Sequence, residues 1–109
     1  MKVVIAYIRP TKEEAVREAL HDLVGLSGAS FSDVRGFGRG RGRVSAESVI
    51  GVGPRVRVEV MVSDLLSAAV ESTISTTAHT GQRGDGKIYV LPLSEARRIS
   101  TRETGDVAV

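Results

Sequence analysis

Two short stretches hold the residues best suited to chemistry: Gly36-Phe37-Gly38-Arg39 and Thr80-Gly81-Gln82-Arg83-Gly84-Asp85-Gly86-Lys87. Glycine lets backbone amides come close to a ligand, successive amides in such turns form concave anion sites, and Arg or Lys adds charge. Together the two stretches suit a di- or triphosphate. The same glycines would serve equally as hairpin and connector residues, and pattern alone leaves the two readings balanced. The arginines tilt the balance toward an anionic ligand. From Arg35 to Arg57 there are six (Arg35, Arg39, Arg41, Arg43, Arg55, Arg57) against one acid, Glu47. The second stretch is not a Walker loop, because GxxxxGK must be followed by Ser or Thr, whereas Lys87 is followed by Ile88 and a strand pattern.

The remaining reactive residues point away from catalysis. There is no cysteine, which removes thiolate chemistry and disulfide scaffolding. His21 falls on the polar side of a helical pattern, and His79 falls near a helix end, where a cation suits the helix dipole; two such histidines make a poor metal site. Glu59 reads as a cross-strand ion-pair partner and Asp85 as a turn former, so neither is a general base. No Ser or Thr is placed beside a base. The run GRGRGR raises nucleic-acid binding, but Phe37 stands alone without the stacking platform that such binding uses.

These turns must be held by regular elements. Lys2 to Ile8 is β-branched and stops at Arg9-Pro10, as a buried strand would. Thr11-Lys12-Glu13-Glu14 has the form of a capping box, and Val16, Ala19, Leu20, Leu23 and Val24 make one helical face closed by Gly25. Ala29 to Arg35 alternates and then slips, which predicts a strand bulged near Asp33. Gly36 to Pro54 has six glycines and no sustained period, the composition of a long loop. Arg55 to Val62 alternates charge and valine, a strand with one face on the core. Ser63 or Asp64 caps a second helix, whose stripe Leu66, Ala69, Val70, Thr73, Ile74 and Thr77 runs to about Ala78. Lys87 to Leu91 is a fourth strand ended by Pro92. The order βαββαβ is that of an α+β, ferredoxin-like plaited sheet with both helices on one face. The other face then needs a cover, and association of identical chains is the economical one.

A chain of 109 residues with 41% hydrophobic and 26% charged residues is one domain, spanning 1–109, with an aliphatic core. Within it, 37–54 reads as a flexible effector loop and 93–109 as a C-terminal segment with weak structural signals. The net charge of +2 is too modest for a general polyanion binder, so the basic character is local. The run Val3 to Ile8 is too short for a signal-peptide core and no later run approaches a membrane span, so the expected location is the cytoplasm.

The segments Val34-Arg35-Gly36-Phe37-Gly38-Arg39, Pro54-Arg55-Val56-Arg57-Val58-Glu59 and Thr80-Gly81-Gln82-Arg83-Gly84-Asp85-Gly86-Lys87-Ile88-Tyr89-Val90 resemble the PII signal-transduction family, from Met1 to about Asp106. The resemblance implies a homotrimer with adenine nucleotide (ATP, ADP or AMP) in clefts between neighbours, and no catalysis. Carried over by position, Gly36, Phe37, Gly38 and Arg39 border the phosphates on one side. Gly84, Asp85, Gly86 and Lys87 hold them on the other, with Lys87 as the main cation. Gly28 and Ser30 lie near the adenine, Met61 and Val62 line the base pocket, and Arg98 reaches across from the adjacent subunit.

This chain departs from the family in three places. Gly40 stands where the nitrogen-regulatory members carry a glutamine that helps to bind magnesium and 2-oxoglutarate, which argues against that coupling here. The loop between the two arms is shorter and has no tyrosine between Phe37 and Pro54, so uridylylation lacks its acceptor. Ser100 replaces a second C-terminal arginine, with Arg102 near enough to stand in. The expected function is adenylate sensing, with loop 37–54 engaging a transporter or metabolic enzyme. The alternative is a carboxysome or inorganic-carbon-associated member whose bicarbonate sits near Arg39, Arg41 and Arg55. Nucleic acid is not expected as a partner.

Overall fold

The computed structural model describes residues 1–38 and 52–109. Arg39, Gly40 and Arg41, and with them most of the expected effector loop, lie outside the described residues. The elements are β1 (Lys2–Ile8), a 3-10 turn (Pro10–Lys12), α1 (Glu13–His21), β2 (Ser30–Gly36), β3 (Gly53–Val62), α2 (Asp64–Ala78), β4 (Lys87–Pro92) and a final 3-10 turn (Gly105–Ala108). The strands form one antiparallel sheet of order β2-β3-β1-β4. This is the split βαβ, ferredoxin-like arrangement expected from the sequence.

The core follows from strand period. Val4, Ala6 and Ile8 of β1 and Val56, Val58, Val60 and Val62 of β3 point to the helix side and are almost fully buried. Val16 and Leu20 of α1 and Val70, Ile74 and Ala78 of α2 close over them. The alternate residues face the open side. Tyr7 pairs with Arg57 and with Lys87, Ile5 with Glu59 and with Tyr89, and Val3 with Met61 and with Leu91. That open face is partly apolar, with Met61, Tyr89 and Leu91 all exposed.

Four local expectations are corrected. The capping box does not form: Pro10 opens a 3-10 turn, Lys12 N–H donates to the Arg9 carbonyl at 2.9 Å, and α1 begins at Glu13 without a side-chain cap. The helix also ends earlier, at His21. Tight-turn bonds from Leu23 to Leu20 and from Leu26 to Leu23 replace the last helical turn, which leaves Val24 90% exposed. There is no bulge near Asp33, because β2 pairs residue for residue with β3 from Ser30↔Glu59 to Gly36↔Gly53. Asp33 faces the helix side opposite Val56, but at the sheet's edge it stays exposed, so its charge needs no bulge to reach water. Gly36 and Gly53-Pro54, expected in the loop, belong to the strands on either side of it.

Candidate functional site

Antiparallel pairing places the C-terminal ends of β1 and β2 and the N-terminal ends of β3 and β4 at one end of the sheet. Both glycine-rich turns are therefore at that end. They are not together, however. Ser32, Arg57, Tyr7 and Lys87 form one register row from edge to edge, and three strand spacings separate β2 from β4 by roughly 14 Å. Gly36, Phe37 and Gly38 lie at the edge opposite Gly84, Asp85, Gly86 and Lys87. Gly28, Ser30, Met61 and the C-terminal segment with Arg98 and Arg102 lie at the far end of the sheet. Val62 is turned into the core at 2% exposure, so only its backbone faces outward.

The turn before β4 is a built structure rather than a slack loop. Asp85 accepts from the Thr80 hydroxyl, from the Thr80 amide at 2.7 Å, from the Gly81 amide at 3.0 Å and from Arg9 Nε at 3.1 Å. Arg9 Nη2 also donates to the Arg83 carbonyl at 2.8 Å, tying the turn to the end of β1. The Thr80 hydroxyl above all, then the Thr80 amide, Arg9 and the Gly81 amide hold the Asp85 carboxyl well below the usual carboxylate range. With both its oxygens engaged, Asp85 shapes the turn, as the turn-former reading expected. His79 Nδ1 stands 3.9 Å from Asp85 without a hydrogen bond.

Gly86 is required by the protein itself. Its φ is +108°, and a Cβ there would stand 1.7 Å from the Tyr7 carbonyl oxygen. By contrast, a Cβ on Gly28, Gly36 or Gly38 would meet nothing within 4 Å, so nothing within the described residues demands glycine at those three positions. Lys87, the first residue of β4, is exposed, and its ammonium makes no hydrogen bond or ion pair among the described residues. A cleft of about 320 Å³ opens on the helix side of this turn, between the Asp85-Gly86-Lys87 wall and Glu71 and Ser75 of α2 with His79 just past its end.

On the open face, Arg57 Nη2 donates to Glu59 at 2.7 Å and Arg57 Nη1 to the Tyr7 hydroxyl at 3.1 Å. The Glu59 bond leads in raising the Arg57 pKa above its usual value. Glu59 is thus paired within its own strand, two residues on, rather than across strands. Tyr7 stacks edge-on against Tyr89, with centroids 6.3 Å apart. Sequence reasoning gave no role to Tyr7, Arg9 or Thr80. The Thr80 to Asp85 spacing was a readable turn signal, but the Arg9 to Asp85 pair spans 76 residues and leaves no local trace. Among the described residues no group of His, Cys, Asp and Glu is arranged to hold a metal ion, and no helix is long and apolar enough to cross a membrane.

A ferredoxin-like sheet carrying basic, glycine-rich turns at one end defines a small α+β protein with its polar features at strand ends. The family model described as "Nitrogen regulatory protein P-II" matches residues 1–103. The chain is 42% identical over 113 residues to the nitrogen regulatory protein P-II of Azospirillum brasilense, with all of both chains covered. It is 40% identical over 113 residues, again with full coverage of both, to the nitrogen regulatory protein P-II 1 of Escherichia coli (strain K12). The chain belongs to the P-II family, and these relatives are named as regulatory proteins rather than enzymes.

Proposed function

We propose that this chain is a nucleotide-sensing regulator that binds an adenine nucleotide in clefts between copies of itself and acts on a transporter or metabolic enzyme through segment 37–54. The observation that carries the reading is the placement of the two basic glycine turns at one end of the sheet but on opposite edges. A phosphate chain gripped by the 84–87 turn is too far from Gly36–Gly38 of the same chain. The β2 edge of a neighbouring copy can supply that wall. The exposed Met61, Tyr89 and Leu91 on the open face support an assembly of identical subunits, and the resemblance to the family makes it a trimer. The unpartnered Lys87 is the main phosphate cation. Gly28 and Ser30 border the adenine, and Arg98 comes from the neighbour, since its own chain places it at the far end of β4.

Sedimentation should give a mass about three times that of the 11.6 kDa chain. Titration calorimetry should show heat with ATP, ADP or AMP and none with 2-oxoglutarate, because Gly40 has no side chain to help hold it. Bicarbonate is a separate arm of the same titration. In Lys87→Ala, adenylate affinity should fall roughly 10- to 100-fold, since a charge-assisted contact contributes ~1.5 to 3 kcal/mol. Failure of every adenylate to bind the wild-type chain would end this reading.

A further inference from the structure

The turn before β4 is held in two separate ways. Within it, the Thr80 hydroxyl and the Thr80 and Gly81 amides close on Asp85, which fixes the shape of the turn. Those bonds travel with the turn, so they do not fix where it stands against the sheet. Arg9, the residue after β1, does that: its Nε donates to Asp85 Oδ1 at 3.1 Å and its Nη2 to the Arg83 carbonyl at 2.8 Å. Two donors on one rigid, planar guanidinium set a direction as well as a distance. The Arg9 and Asp85 side chains are mostly buried, at 22% and 21% exposure, where a charged pair is screened less than at the surface.

The tether starts from a fixed point. The Arg9 carbonyl accepts from the Lys12 amide at 2.9 Å, in the 3-10 turn that leads into α1. What it holds is pliable by composition, since Gly81, Gly84 and Gly86 have φ of +85°, +97° and +108°. Glycine loses more backbone freedom on ordering than any other residue. A ligand that had to order this turn would therefore bind more weakly than one that met it already in place.

We infer that Arg9 is a positioning residue for the phosphate site: without touching the nucleotide, it holds the Gly84-Asp85-Gly86 backbone beside Lys87 at the place where the phosphates bind. The inference rests on the nucleotide reading above. It separates the shape of the turn, set by Asp85 and Thr80, from its place, set by Arg9.

Arg9→Met removes both donors and keeps an apolar stem, while Arg9→Lys keeps the charge on a flexible ammonium without the fork. Each is studied first without nucleotide, by amide relaxation, and then titrated with ATP. In wild type the Gly84 and Gly86 amides should have order parameters in the rigid range, about 0.85, and in Arg9→Met these should fall below about 0.6 while Val58 and Val60 of β3 stay rigid. ATP affinity per folded molecule should fall roughly tenfold in Arg9→Met and about threefold in Arg9→Lys. A turn that stays rigid in Arg9→Met overturns the inference whatever ATP does. Unchanged ATP affinity on a loosened turn overturns it too, and a weakened Lys87→Ala in the same titration then leaves the nucleotide reading standing. Full ATP affinity in Arg9→Lys shows that charge alone suffices and also overturns it. If Arg9→Met does not fold, Arg9→Lys decides by the same two measurements, and wild-type values in both refute the inference. A wild-type chain that binds no adenylate removes both readings.

Discussion

Replacing Gly86 with alanine isolates what the turn before β4 owes to its own backbone. The added Cβ would lie 1.7 Å from the Tyr7 carbonyl oxygen and 2.8 Å from its carbon, at φ +108°. Neither neighbour is a flexible side chain, so the start of β4 must move away from β1 by more than an ångström. That movement opens the Tyr7↔Lys87 end of the ladder. An L residue at positive φ costs ~1–2 kcal/mol, and losing one or two backbone hydrogen bonds costs about 1 kcal/mol each. Alanine returns ~0.4–1 kcal/mol by restricting the unfolded chain. The expected net loss is about 2–3 kcal/mol, a large share of the roughly 5–15 kcal/mol that holds a domain of this size. Urea unfolding followed by far-ultraviolet circular dichroism measures it, with Gly28→Ala as a control whose Cβ meets nothing within 4 Å. If Gly86→Ala unfolds within about 0.5 kcal/mol of wild type, the close approach does not dictate this glycine and the reasoning fails.

Asp85→Asn should destabilise the protein at neutral pH. Because hydrogen bonds depress the native pKa of Asp85, its contribution is complete above the unfolded value of about 3.9 and is lost as the pH falls below it. Melts of wild type and variant should therefore converge in acid, and a gap that stays constant down to strongly acidic pH would contradict the assignment. Ile74→Ala, at a fully buried position on α2, should cost about 2–5 kcal/mol in denaturant unfolding while leaving ligand affinity per folded molecule unchanged.

The alternation of valines in β3 and the apolar stripe of α2 made these elements and the helix-covered face legible, because burial imposes period directly on sequence. The α1 ends were less legible. A capping pattern at Thr11 competes with Pro10, whose fixed φ starts a 3-10 turn one residue earlier, and Val24 kept the helical period without being needed by the core. Asp33 looked like a slipped register, since sequence does not reveal that β2 is an edge where a charge reaches water. The site divided along the same line. Lys87 and the glycines could be found from type and spacing, but the Arg9 anchor and the Arg57-Tyr7 contact join distant segments.

Opposite-edge placement of the two glycine turns also bears on inheritance. On the proposed reading, each copy lends one wall to one neighbour and the other wall to another, so a defect in one wall is distributed among sites rather than confined to a molecule. When chains altered at Lys87 assemble with chains altered at Gly38, some clefts draw both walls from the unaltered halves. Two alleles that are each defective alone can then complement one another in the same cell, and a mixed population carries sites of graded affinity instead of an all-or-none loss.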